Sequence, residues 1–457
     1  MKITFFISFF LFVFIHSVSQ VNLATIDLTT NTVEDVQTQA IGDSLFVAVD
    51  WFDGKPNLAL KKGYWIGSGG TVNTIDFGFL QKAVLCAIEQ VNESVYYYYL
   101  DFMLDKKRER KIRVMRSDIK SKQIQYINQS IPFEGDLLGM VTENGVHAIT
   151  FNERNLMFKI ITINGGREVA AKEIQLDYKL GNFWDGAITV IENLSIHSIA
   201  DGSSSNKLYY TNGELVLVAS NYYSQTLVIK MNLQTSQVSY YQIPVDFKKK
   251  ASYYESGLLY YLAASSNEYN LQIFDTVSKK KIYGKTYAKL DAFKLNPIYR
   301  RMDKEVKVYK DGSLYKLMNR NESFGLSIVV EDHLTDKLVT FGDYFDEKGV
   351  GIAAGSNPIS MFAALIVTTA LRQQFGKGAG QSRYAYLVGD ITLTRGYKIE
   401  TEFKTEKPWR QATDDFEIEE QNKGVDFNTK NYQMVESKKI VAIYHAKKQK
   451  SIRVLRF

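Results

Sequence analysis

The chain has 457 residues, 45% of them hydrophobic and 13% aromatic, with a formal net charge of +6. So mild a charge gives no reason to expect a nucleic-acid partner, and one cysteine, Cys86, excludes any disulfide within the chain. The length permits two or three domains or one large all-β domain.

The first segment, "MKITFFISFFLFVFIHSVSQ", has Lys2 near its start, an apolar core from Ile3 to Ile15 and small residues Ser17 and Ser19. This reads as a secretory signal over residues 1–19, cut after Ser19. Its apolar part is shorter than the roughly 20 residues a bilayer span needs. An exported protein is therefore expected, in a periplasm, associated with an outer membrane or extracellular. No cysteine stands at the cleavage point, so a bacterial lipid anchor is not expected.

From residue 20 onward, short apolar runs rich in β-branched and aromatic residues follow one another and predict strands. In chain order they are "SLFVAVDW" at Ser44, "KAVLCAIE" at Lys82, "VHAITFNE" at Val146, "ELVLVAS" at Glu214, "LLYYLAAS" at Leu258, "SLYKLMN" at Ser313, "YAYLVGD" at Tyr384 and "KIVAIYH" at Lys439. The basic run "KKRERKIR" from Lys106 lies between two of the strand-like stretches and predicts a solvated hairpin tip. Cys86 lies in an apolar run and is expected to be buried. With only six prolines and no Pro-rich or Gly/Ser-rich tract, no linker divides residues 20–457, which are expected to form one domain.

One segment departs from this pattern. In "NPISMFAALIVTTALRQQFGKGAG", Asn357 suits a helix cap, Pro358 the first turn and Gly376 a stop, predicting a helical insertion at about 357–380. Its continuous apolar part would be about 20 Å long against a hydrocarbon core of about 30 Å, so no transmembrane span is expected. Met361, Phe362, Leu365, Ile366, Leu371 and Phe375 fall on every side of the helix, which suits burial in the fold or in a partner.

Between the strand runs an eight-residue pattern recurs, with Asp or Asn second, Ser or Thr fifth and an apolar residue last. It appears as "IDLTTNTV" from Ile26, "SDIKSKQI" from Ser117, "MNLQTSQV" from Met231, "EDHLTDKL" from Glu331 and "VDFNTKNY" from Val425. "FDTVSKKKI" from Phe274 is a longer copy and "INGGREV" from Ile163 a shorter one. In such a hairpin the Asp or Asn side chain accepts from backbone N–H groups two or three residues on, and the hydroxyl does the same more weakly. Recurrence at about 45 residues, with several strands per unit, points to radially stacked sheets.

On these turns the chain resembles the broad β-propeller superfamily of quinoprotein-like and surface-layer-like repeats. The resemblance implies an all-β propeller of eight blades, with seven as the alternative. The quinoprotein repeat carries a tryptophan after its turn where this chain has Val, Ile, Leu or Tyr, so no cofactor is implied. The terminal stretches "VNLATIDL" and "SIRVLRF" are expected to pair in one shared blade and so remove both free edges.

No catalytic or metal motif survives a check of spacing. Of the five histidines, His16 lies in the signal, and His147, His197, His333 and His445 show no ligand spacing. "WIGSGGTV" and "FGKGAGQS" lack the frames of a nucleophile elbow and a phosphate loop. Asp50, Asp53 and Asn57 read as turn residues, and "TDDFEIEE" from Thr413 as a solvated acidic loop. Function on such a fold is grafted onto face loops. The candidate binding residues are therefore Trp51, Trp184, Asp185 and His197, the last three in the long insertion before "ELVLVAS", together with Met361, Phe362 and Leu365 on the inserted helix. The expected function is a non-enzymatic binding scaffold of the bacterial envelope with a protein partner. The alternative is a polysaccharide hydrolase or lyase, with carbohydrate as partner.

Overall fold

The computed structural model describes residues 21–28, 33–52, 58–81, 83–101, 110–118, 124–177, 188–191, 202–211, 213–222, 225–244, 249–289, 298–302, 305–309, 325–333, 336–346, 383–393, 399–402, 408–425, 427, 429–435, 439–446 and 449–457. Their strands fall into seven separate sheets, taken here in chain order after the opening strand β1 (Val21–Asp27).

Sheet 1 holds β2 (Val33–Ile41), β3 (Ser44–Phe52), β4 (Leu58–Ile66) and β5 (Val72–Gln81). Sheet 2 holds β6 (Ala83–Val91), β7 (Ser94–Asp101), β8 (Arg110–Asp118) and β9 (Ile124–Phe133). Sheet 3 holds β10 (Asp136–Thr142), β11 (Val146–Asn152), β12 (Met157–Asn164) and β13 (Arg167–Gln175). In sheet 4, β14 (Ile188–Ile191) lies parallel to β15 (Asn206–Thr211), followed by β16 (Glu214–Tyr222), β17 (Gln225–Asn232) and β18 (Val238–Pro244). Sheet 5 holds β19 (Lys249–Glu255), β20 (Leu258–Ala264), β21 (Glu268–Asp275) and β22 (Lys280–Ala288).

Sheet 6 is irregular. Its antiparallel meander runs β25 (Gly325–His333), β26 (Asp336–Asp346) and β27 (Arg383–Leu393). The outer side of β27 is shared between β28 (Ile399–Glu402) and the hairpin of β23 (Ile298–Met302) and β24 (Glu305–Tyr309). After helix α1 (Pro408–Asn422), sheet 7 takes β29 (Thr429–Met434), β30 (Ile440–Ala446) and β31 (Ser451–Arg456) from one end of the chain and β1 from the other. β1 pairs with β31 in antiparallel register, Thr25 opposite Arg453 and Asp27 opposite Ser451, as the sequence leads one to expect.

From sheet 7 through sheet 1 to sheet 6, consecutive sheets stack face to face, which is propeller-type architecture. Alternation along β16 shows why. Leu215, Leu217 and Ala219 join the apolar cluster shared with sheet 3, while Val216 and Val218 join the cluster shared with sheets 5 and 6. Further clusters lie between sheets 1 and 2, sheets 2 and 3, and sheets 7 and 1. The innermost strands also touch in sequence, β2 against β6, β6 against β10 and β10 against β14, with β2 also against β29.

Inner edge strands expose backbone groups that need partners. Glutamines supply them here. Leu85 N–H donates to Gln37 Oε1 at 2.8 Å, and Gln39 Nε2 donates to the Ile88 carbonyl at 3.3 Å. On the other side Gln433 Nε2 donates to the Thr38 carbonyl at 3.1 Å, while its Oε1 accepts from Ala40 N–H at 3.4 Å.

The predicted turn chemistry is present in the copies that contain Asn232 and Asp275. Asn232 Oδ1 accepts from Gln234 N–H and Thr235 N–H at 2.9 and 2.8 Å, and Thr235 Oγ1 accepts from Gln237 N–H at 3.3 Å. Asp275 Oδ1 accepts from Val277 N–H and Ser278 N–H at 2.8 and 3.2 Å. These bonds hold the Asp275 carboxyl below the usual carboxylate range, the Val277 amide being the largest cause.

Two expectations are overturned. Asp50 is not a turn residue but lies within β3, opposite Asp35 and Lys61. The acidic stretch around Asp414 is not a solvated loop but part of helix α1. Thr413, Phe416, Glu417 and Glu420 stand at helical spacing and are all buried. Two of those inward positions carry Glu, which masks the amphipathic signal, while Pro408 at the first position favours the helix. The expected helix at 357–380 and the strand run at Ser313 lie outside the described residues.

Candidate functional site

Polar side chains in the interior serve first as ties between sheets. Between sheets 2 and 3, Glu89 Oε2 accepts from Gly165 N–H at 3.0 Å and from the Tyr98 hydroxyl, which itself accepts from Gly166 N–H at 3.1 Å. Burial, more than the neighbouring Glu89 carboxylate, pushes the Tyr98 phenol well above its usual range. Between sheets 4 and 5, Lys207 is fully buried and its ammonium donates to the Ser204 and Ser252 carbonyls at 2.6 and 2.7 Å. Between sheets 5 and 6, Asp343 Oδ2 accepts from Lys289 Nζ at 2.9 Å and from the Tyr269 hydroxyl at 2.6 Å, with the ammonium 4.7 Å from the Tyr269 ring centre. Each ionisable group is held by partners from a neighbouring sheet or loop.

The junction of sheets 6 and 7 is built differently. Helix α1 lies against β24 of sheet 6, and its Phe416 packs on Ala442, Tyr444 and Leu455 of sheet 7. Phe416, Phe427 and Tyr444 form a ring cluster, with Phe427 and Tyr444 centred 4.8 Å apart. Glu420 of the helix pairs with Arg453 of β31 and with Lys423.

Beyond Phe416 no described residue covers the outer part of this face. A cleft of about 410 Å³ opens there, lined by Asn22, Thr25 and Asp27 of β1, Ser451, Arg453 and Leu455 of β31, Gln449 of the turn before it, and Phe416. The antiparallel register explains the convergence, because Asn22 stands opposite Leu455, Thr25 opposite Arg453 and Asp27 opposite Ser451. Asn22, Thr25, Asp27 and Gln449 are exposed, while Ser451, Leu455 and Phe416 form a buried floor. Such a cleft offers several hydrogen-bond donors and acceptors beside an apolar wall.

Of the candidate residues read from the sequence, Trp51 lies in β3, opposite Val33 of β2 and Leu60 of β4. Trp184, Asp185, His197, Met361, Phe362 and Leu365 lie outside the described residues. No group of three or more His, Cys, Asp or Glu side chains able to hold a metal occurs among the described residues. His147 is tied into sheet 3, its ring nitrogens 2.8 Å from the Glu143 carbonyl and 3.2 Å from Thr162 Oγ1, and its ring stacks on Tyr210. Burial pushes the Cys86 thiol up to about 12. Among the described residues no helix is long and apolar enough to cross a membrane.

No known family profile matches the sequence, and no curated protein is similar to it. Among solved structures the chain is similar to an acylaminoacyl peptidase from Pyrococcus horikoshii, with 9% identity over 69% of this chain and a TM-score of 0.30. It spans 58% of that peptidase's length. It is also similar to the β-propeller domain of the Trilobed protease from Pyrococcus furiosus, with 7% identity, 68% of this chain, 91% of that one and a TM-score of 0.31. A third is the hydrazine synthase of Kuenenia stuttgartiensis, with 10% identity, 94% and 97% coverage and a TM-score of 0.35. TM-scores this low carry no weight for fold or activity, and the propeller-type assignment stands on the strand pairing described above.

Proposed function

We propose that the protein is an exported, non-enzymatic binding scaffold of the bacterial envelope, a seven-bladed propeller that holds a protein partner through its face loops. The observation that supports this reading is the use made of the buried ionisable groups. Glu89, Asp343, Glu420, Lys207 and Lys289 are each engaged by hydrogen bonds or ion pairs to other elements. A general acid or nucleophile needs a group facing substrate, and these groups face the protein's own backbone and side chains.

The seven sheets would be seven blades, the last closed by the pairing of β1 with β31. Residues 1–19 would direct export and be removed. Trp51 of β3 and the insertion residues Trp184, Asp185 and His197 would contact the partner, and Met361, Phe362 and Leu365 would dock in it.

The test is affinity purification of a tagged full-length chain from its native envelope, beside a Leu365→Asp variant. The reading expects a specific protein to co-purify with the wild type and to be lost from a variant that remains folded. Absence of any specific protein from the wild-type eluate would overturn it.

A further inference from the structure

We propose that the cleft between helix α1 and the outer strands of sheet 7 is a binding site for a neutral saccharide, separate from the surface that takes a protein partner. The case rests on what the cleft presents. Asp27, Gln449 and Ser451 make no side-chain hydrogen bond or ion pair among the described residues, so a carboxylate, an amide and a hydroxyl are available to a ligand. Asn22 Nδ2 donates to Thr25 Oγ1 only at 3.5 Å, a contact that a ligand hydroxyl would readily replace. The lining is thus a mixture of donors and acceptors on five short side chains.

Sugar hydroxyls both donate and accept, so they satisfy a mixed lining that a purely anionic or purely cationic ligand does not. Charge points the same way. Arg453 is already neutralised by Glu420, which leaves Asp27 as the unbalanced charge in the lining, and an unpaired carboxylate repels phosphate, sulfate and uronate groups. The floor of Phe416 and Leu455 offers an apolar surface for the C–H face of a pyranose. The volume of about 410 Å³ is that of a small-molecule cleft.

The geometry also explains why the site occurs here and not in another sheet. Between the other sheets with described clusters, apolar side chains fill the gap, but at this junction α1 packs on β30 and β31 and no described residue covers the polar side chains of β1. Asp27 and Gln449 are exposed and without partners among the described residues, so their removal leaves the fold intact.

Saturation-transfer NMR with gluco-, manno-, galacto- and xylo-tetraoses, run on the full-length chain and on the Asp27→Ala, Gln449→Ala double variant, tests the proposal. At least one tetraose is expected to receive saturation from the wild type, and the double variant should bind it about tenfold or more weakly. Undiminished binding by a folded double variant, or no transfer to any tetraose from the wild type, would overturn it. So would a preference for glutamate or lysine over every tetraose in the same assay. Retention of the protein partner is scored separately, so failure at the cleft and failure of the scaffold reading are distinguishable.

Discussion

Gly165 of the β12–β13 turn donates its N–H to Glu89 Oε2 of β6 at 3.0 Å, although the two residues belong to different sheets. The adjacent Gly166 donates to the Tyr98 hydroxyl, so a two-glycine turn plugs into a carboxylate and a phenol. Both glycines have positive φ, 56° and 79°, and a Cβ on Gly166 would stand 3.0 Å from Tyr96 Cδ1 and from Val114 Cγ1.

Removing that acceptor should be costly. Glu89→Ala leaves the buried Tyr98 hydroxyl and the half-buried Gly165 N–H without their partner and is expected to cost about 2–3 kcal/mol. Gly166→Ala adds backbone strain to a steric conflict and should cost about 1–3 kcal/mol. Urea unfolding of the purified chain measures both. A change below the error of the fit for either would mean that the turn does not carry this junction.

The tie between sheets 5 and 6 makes a sharper prediction. Lys289→Met leaves the Asp343 carboxylate buried without its cation, with an expected loss of about 3–5 kcal/mol. Adding Asp343→Leu removes the stranded charge and should recover part of that loss. A double variant no more stable than Lys289→Met would show that the pair is not coupled.

For Asp275 the pH dependence has a defined sign. Its carboxyl is held below the usual range by the Val277 amide and by the hydroxyl and amide of Ser278. A depressed folded-state value means that the contribution is present above the unfolded value and lost as pH falls through the folded one. The difference in melting temperature between wild type and Asp275→Ala should therefore be largest near neutrality and shrink in acid. A difference that grows on acidification would reverse the sign.

Closure of sheet 7 predicts that deleting Ser451 to Phe457 lowers the melting temperature sharply, because β31 pairs with both β1 and β30. An unchanged value would show that the two ends do not close one sheet.

Cys86 is half-buried as a residue, and its reactivity offers a chemical check on how far the thiol itself is shielded. With its thiol pushed up to about 12, it should resist alkylation by iodoacetamide at mildly alkaline pH in the native state and react on unfolding. Rapid native-state labelling would place the thiol in contact with solvent.

Much of this architecture is written locally. The "MNLQTSQV" and "FDTVSKKKI" turns declare their Asx hydrogen bonds, and "ELVLVAS" declares a strand buried on both faces. The terminal strands announce their pairing because a lone closing strand needs a partner. What escapes a reading of the sequence is set by distant partners. Gln433 serves the backbone of Thr38 and Ala40, 395 and 393 residues away, and nothing in its own neighbourhood marks that role. The helix at Pro408 is hidden because its inward face carries Glu417 and Glu420 in place of leucines.

The cleft is hidden for a related reason. Asn22, Thr25 and Asp27 look like the solvent side of an edge strand, and so do Gln449, Ser451 and Arg453. Only the register of β1 on β31, with Phe416 beside them, turns two ordinary polar faces into one lining.

The most direct test of the binding reading is to incubate the purified wild-type chain with the polysaccharides that correspond to any tetraose it binds, and to measure the release of reducing ends over time. Saturable binding without release is the predicted result. Release that disappears on changing a single carboxylate would contradict it and make the protein an enzyme.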